Sequence, residues 1–254
     1  AEHAGALYLA SEAKALFAMG VPACWSPQAV YAGGFIVPGE QTLFRGVQTV
    51  PPGHYLRATT GGHRLHQYWD IDYPADAAPP ERSERDYVQG FREVLEDSVK
   101  TRLRADVPVG CYLSGGIDSC AILGLAARHH TGPVRAFTLT FEEAQYDEGP
   151  FALEMAQLAG ADFIPVPVTQ SDLAANFRDS VVQAELPCIN AHSVAKYMLS
   201  RAVRQSGYKV VLTGEGSDEI LAGYPHFRRD MILYHTTGQD PAEVALLALH
   251  RVVQ

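Results

Sequence analysis

Leu113-Ser114-Gly115-Gly116-Ile117-Asp118-Ser119 stands between an apolar, strand-like run from Val107 to Leu113 and a helix-like run from Cys120 to His129. Two glycines between serines, closed by an aspartate, make a tight strand-to-helix turn. Glycine permits the backbone angles and close approach that such a turn needs. The following helix N-terminus adds partial positive charge, so the turn can present backbone N–H groups to an anion. No lysine follows the second glycine, which excludes the G-x-x-x-x-G-K-[ST] triphosphate loop.

Outward from this turn, strand-like runs recur at Val134–Phe141, Asp162–Val168 and Tyr208–Thr213. Helical runs are predicted at Cys120–His129, Gly149–Leu158, Leu173–Leu186 and Ser193–Gln205. Such alternation implies right-handed crossovers and a parallel sheet covered on both faces. Ligands in these sheets bind beyond the carboxyl ends of the strands. Upstream, Ser83 is a plausible N-cap, and Tyr87, Phe91, Val94, Leu95 and Val99 repeat at helical spacing to about Leu103.

A second glycine turn, Thr213-Gly214-Glu215-Gly216-Ser217-Asp218-Glu219, sits at an equivalent strand end. Glu215, Asp218 and Glu219 would repel one another unless something positive lies among them. Mg²⁺ on a polyphosphate fits, because hard cations prefer carboxylate and phosphate oxygens. A plainer reading also exists, an acidic surface turn with Ser217 or Asp218 as N-cap. Asp118 likewise suits either a metal ligand or the N-cap of the helix it opens, and the two roles are compatible.

Before the helix at Ser83 the pattern differs. Leu7–Ala10 reads as a strand, Ser11–Met19 as a short helix, and Gly53–Ala58 with Arg64–Tyr68 as a hairpin about Gly61-Gly62. These pieces are too few to close a domain. Residues 70–82, rich in Pro, Asp and Ala, read as a linker between a partial domain at 1–69 and the α/β domain at 83–254.

The 254 residues carry a formal net charge of −9, with no block of Lys or Arg to offset it, which argues against nucleic acid or an anionic membrane as partner. The four cysteines, Cys24, Cys111, Cys120 and Cys188, form no C-x-x-C pair and lack the density of a disulfide framework. No stretch approaches the roughly 20 apolar residues of a membrane span, and no signal peptide is visible. A cytoplasmic enzyme is the expectation. Oligomeric state is left open, a homodimer included.

Tyr112 to Ser119 resembles the pyrophosphate loop of the ATP pyrophosphatases, shared by GMP, NAD and tRNA lysidine synthetases. Together with Val211 to Glu219 and Ala222-Gly223-Tyr224, it looks like the synthetase domain of glutamine-dependent asparagine synthetases. Phe137 to Phe141 and Tyr146-Asp147-Glu148 fit the same family. Leu7 to Leu16, Leu43 to Val47, Val50 to His54 and Tyr68-Trp69-Asp70 resemble the end of its α+β glutaminase domain.

The resemblance implies a parallel-sheet α/β pyrophosphatase domain preceded by the C-terminal part of a glutaminase domain. It implies adenylation of the aspartate side chain by MgATP, then attack by glutamine-derived ammonia to give asparagine, AMP and pyrophosphate. Leu113 and Leu139 would contact the nucleotide through their backbone. Ser114, Gly115, Gly116 and Ser119 would hold pyrophosphate, and Thr213 and Gly214 would line the nucleotide site. Asp118 and Asp218 would coordinate Mg²⁺. Glu215 would act in forming and consuming the acyl-adenylate; β-lactam-forming relatives carry Tyr there, so Glu215 favours an intermolecular amide.

The family's glutaminase uses an N-terminal nucleophilic cysteine, whereas this sequence begins Ala1-Glu2-His3. The family's downstream lysine has no counterpart after Lys209. A fragment of a longer enzyme is the expectation, unable by itself to hydrolyse glutamine. Two rivals remain: a ligase acting on another carboxylate, including lactam-forming types, and an inactive nucleotide-binding remnant.

Overall fold

The computed structural model describes residues 1–32, 39–72, 82–188, 190–234 and 242. Most of the expected linker, at 73–81, lies outside them. The chain forms two compact units, Ala1–Ser83 with Gln170–Tyr197, and Glu84–Thr169 with Met198–Gln254.

In the first unit, β1 (Glu2–His3) pairs antiparallel with β2 (Ala6–Leu7). β2 is shorter than the expected Leu7–Ala10 strand and starts earlier, because Ala4 and Gly5 take positive φ and turn the chain into a tight hairpin. Helix α1 (Ala13–Ala18) and helix α2 (Pro27–Tyr31) follow, α2 being absent from the sequence expectation. Its signal was present: Pro27 stands at N1 and the Ser26 hydroxyl accepts the Ala29 N–H. The expected hairpin forms as β3 (His54–Thr59) and β4 (Gly62–Gln67). Leu16, Val21 and Val47 make a small core, joined by Phe17 and Phe44.

The second unit opens with α3 (Glu84–Arg102), directly after Ser83. Then β5 (Val109–Tyr112), α4 (Ile117–His129), β6 (Arg135–Phe141), α5 (Gly149–Ala159) and β7 (Asp162–Val168) follow the expected alternation. Helix α6 (Gln170–Ala184) belongs to the first unit, and α7 (His192–Gln205) runs from the first unit into the second. The chain returns through β8 (Val210–Leu212), α8 (Ser217–Leu221) and α9 (Pro225–Tyr234).

The sheet is parallel, in the order β7-β6-β5-β8. Pro165 and Pro167 put β7 at an edge, since proline cannot donate to a further strand. One face carries Val109, Cys111, Leu113 and Ala136 beneath Leu123 and Ala126 of α4 and Ala152 and Ala156 of α5. Alanines at the helix contacts let the backbones come close. The opposite face carries Phe137, fully buried against Leu199 and Val203 of α7. Burying such a side chain contributes about 1.5–3 kcal/mol.

All four cysteines are free thiols, and Cys111, fully enclosed, is pushed up to about 12 by burial. No described helix is long and apolar enough to cross a membrane.

Candidate active site

Strand β5 delivers the chain to the first glycine loop from a fixed point. Leu113 is buried in the core, and its N–H donates to the Phe137 carbonyl at 3.0 Å. Gly115 has φ +85°, and a Cβ there would lie 3.0 Å from Phe151 Cβ and 3.2 Å from the Ala152 nitrogen. Conformation and closeness to α5 both demand glycine. The start of α5 is held in turn by Asp147, whose Oδ1 accepts the N–H groups of Phe141 and Gly149, each at 3.2 Å.

Ser119, only 7% exposed, ties the loop together. Its hydroxyl accepts the Ser114 N–H at 3.1 Å and donates to the Gly116 carbonyl at 3.1 Å. The Ser114 hydroxyl lies 3.0 Å from it and accepts the Gly116 N–H at 3.3 Å. The loop is therefore pre-formed by its own serines, with Ser114 and Gly116 at the surface.

Helix α4 begins at Ile117, not at Cys120 as the spacing suggested. The Cys120 N–H bonds the Gly116 carbonyl at 3.0 Å, which closes the first turn around Asp118 and Ser119. Gly116 is the N-cap, so Asp118 does not cap the helix but lies in its first turn, where the helix end favours negative charge. The same correction applies at α8. Its N-cap is Gly216, at φ +94°, with no side-chain cap from Ser217 or Asp218. The Ser217 hydroxyl instead donates back to the Gly214 carbonyl at 2.8 Å and tightens the second loop.

Gly214 is where the two loops meet. A Cβ on it would lie 2.7 Å from Asp118 Cβ, 2.8 Å from the Ser119 nitrogen and 2.9 Å from the Asp118 carbonyl carbon. Only a bare glycine lets β8's loop rest against the first turn of α4. In consequence Asp118, Thr213, Gly214 and Glu215 line one cavity of about 690 Å³.

The remaining nominated residues lie elsewhere. Leu113 contributes no side chain, being buried on the α4 and α5 face. Leu139 sits on the opposite face of the sheet, packed beside Phe137. The Asp218 carboxylate is folded against Gly223, where a Cβ would overlap its Oδ1, and Asp218 is not part of the cavity lining.

The carboxylates still form one negative field. Tyr224 donates its hydroxyl to Glu219 at 3.1 Å. That bond, then partial desolvation and the charges of Glu219, Asp218 and Glu215, raise its phenol above the ordinary value of 10.0. Among the described residues no three His, Cys, Asp or Glu side chains converge as a metal cage. Asp118 and Glu215 are the two carboxylates on the cavity.

The sequence did not nominate Phe91, Leu95 and Arg102 of α3, or Ile220 of α8, which complete the cavity. For Phe91 and Leu95 the signal was the helical repeat itself, whereas nothing local marked Arg102 or Ile220. Periodicity marks the apolar face of α3 but not whether that face meets core or cavity.

A parallel α/β sheet bearing two abutting glycine loops at its carboxyl edge defines a class of fold whose ligands lie beyond the strand ends. Within that class the chain belongs to the asparagine synthase family, whose model matches residues 90–252. Similar proteins include the amidase chyE of Penicillium rubens, 37% identical over 90% of this chain and 36% of that protein. Others are a putative glutamine-hydrolysing asparagine synthetase of Mycobacterium tuberculosis (35%, over 78% and 30%) and asparagine synthetase B of Escherichia coli K12 (32%, over 90% and 38%). The chain thus spans about a third of the length of these relatives.

Proposed function

We propose that this chain carries the synthetase site of an ATP-dependent, amide-forming ligase. A carboxylate oxygen attacks the α-phosphorus of ATP, and pyrophosphate leaves from the bridging oxygen. Ammonia then attacks the acyl carbon, the acyl–oxygen bond to AMP breaks, and the nitrogen loses a proton. Glu215 is the base for that proton, which requires it to face the acceptor within hydrogen-bond reach.

Ser114, Gly115, Gly116 and Ser119 take the pyrophosphate, aided by the positive end of α4. Leu113 and Leu139 meet the nucleotide through backbone groups, and Thr213 and Gly214 line its site. Asp118, with Asp218 as a second candidate, would hold Mg²⁺, which neutralises polyphosphate charge. In asparagine-forming members the acceptor is aspartate and the ammonia comes from glutamine, hydrolysed in a glutaminase domain whose end residues 1–69 resemble. Aspartate is the first acceptor to test. The relatives named as amidases keep other carboxylates in play.

One observation carries this reading: Gly214 packed on Asp118 and Ser119, which puts Glu215 and Asp118 on one cavity. The test is Glu215→Gln in the purified protein, assayed for amide product and for ATP binding. Product should be lost while nucleotide affinity is retained. Undiminished product formation would refute the assignment.

A further inference from the structure

We infer that Asp147 is a positioning residue for the pyrophosphate loop, an inference that rests on the ligase reading above. Asp147 lies outside the cavity lining, in the connection between β6 and α5, and holds both elements with one oxygen. Its Oδ1 accepts the N–H of Phe141, the last residue of β6, and the N–H of Gly149, the first residue of α5, each at 3.2 Å. The Gly149 bond is a local turn, whereas the Phe141 bond fixes where α5 starts relative to the sheet. Gly149 is buried, and a Cβ on it would stand 3.0 Å from both Asp147 Oδ1 and Thr140 Cγ2. A bare backbone there is what lets the carboxylate sit between strand and helix.

The first turn of α5 is the surface on which Gly115 rests. A Cβ on Gly115 would stand 3.0 Å from Phe151 Cβ, 3.2 Å from the Ala152 nitrogen and 3.2 Å from the Glu148 carbonyl oxygen. All three groups follow Asp147 directly in the chain. Ser114 and Ser119 fix the internal shape of the loop, and the placed start of α5 fixes what lies behind it. Charge and hydrogen bonding at Asp147 then predict opposite signs. A carboxylate close to a polyanion repels it, so removing the charge alone should tighten pyrophosphate binding. Removing the acceptor frees the start of α5, and apparent affinity falls with the share of molecules whose loop is in the binding shape. Each hydrogen bond lost is worth about fivefold in that share.

The experiment is calorimetric titration of the purified protein with inorganic pyrophosphate and Mg²⁺, beside denaturant midpoints on the same preparations. Asp147→Ala should raise the Kd about tenfold. Asp147→Asn loses the same charge but keeps a carbonyl oxygen for both N–H groups, and should bind as tightly as the wild type or more so. Glu142→Ala removes an exposed carboxylate next to Phe141 and should not weaken binding. If Asp147→Ala does not fold, Asp147→Ser takes its place: its hydroxyl can accept the Gly149 N–H two residues on but is too short to hold Phe141 as well, so the Kd should rise about fivefold. A lowered midpoint with wild-type Kd in that variant would make Asp147 a helix cap alone and overturn the inference while the ligase reading stands. A Kd raised equally in Asp147→Asn overturns it too. No pyrophosphate binding by the wild type overturns both.

Discussion

Gly214→Ala is the most informative single change, because it adds one carbon at the point where the two loops touch. The added Cβ would stand 2.7 Å from Asp118 Cβ and 2.8 Å from the Ser119 nitrogen. Ordinary carbon–carbon contact is about 3.5–4.0 Å, so the loops must part by about 1 Å. Neither neighbour can yield cheaply: one is the first carbon of a side chain, the other is backbone inside the first turn of α4. Overpacking of this kind costs about 1–3 kcal/mol, against a typical domain stability of about 5–15 kcal/mol. A displacement of about 1 Å between reacting groups lowers rate on the order of a hundredfold.

Denaturant midpoints and pyrophosphate exchange, measured on the same preparation, separate the two effects. Gly214→Ala should lose about 1–3 kcal/mol of stability and about a hundredfold in exchange rate. Gly90→Ala, in the middle of α3 with open space at its Cβ, is the control. It should gain about 0.5–1 kcal/mol, since alanine holds a helix better than glycine. Wild-type stability and exchange in Gly214→Ala would refute the packing argument. Lost stability with intact exchange would show that the chemistry does not need the loops in contact.

Two further outcomes follow from the local geometry. Ser119→Ala removes the acceptor of the Ser114 N–H and the donor to the Gly116 carbonyl, and should cost about 1–2 kcal/mol; ATP affinity should fall with it, as isothermal titration would register. Glu96 is held below its ordinary 4.5 by the hydrogen bond from Lys100 and then by that with His129, against some desolvation. A depressed carboxyl stabilises the fold above its unfolded value, and this stabilisation is lost as pH falls through the folded one. Glu96→Gln should therefore lower the melting temperature at neutral pH, and the difference should close in acid; a constant difference would contradict the linkage.

Much of the α/β unit could be read from neighbours in sequence. β7 runs from Asp162 to Val168 as expected, since its alternation and its prolines are local facts. The strand-to-helix turn at Gly115-Gly116 was equally legible, though the start of α4 was placed too late. What decides it is the bond from the Cys120 N–H to the Gly116 carbonyl, not the apolar run. Asp218 illustrates the opposite case. The family resemblance implied a metal ligand there, but nothing local showed that its side chain lies against Gly223, the residue after Ala222 at φ +55°.

Contacts between distant segments were not legible. The Glu185 carboxylate accepts the N–H groups of Ala13 and Lys14 at 2.8 and 2.6 Å and so caps α1 across 172 residues. No pattern near Ala13 announces that partner. The sequence by itself determined the alternation of strands and helices and the two glycine turns. Periodicity, proline and positive-φ preferences act over a few residues, so one chain segment suffices to show them. Only the tertiary structure decided that β8 lies beside β5, that Gly214 therefore rests on Asp118, and that the apolar face of α3 borders a cavity shared with Glu215. Those depend on strand order and register, which are settled by packing across the whole sheet.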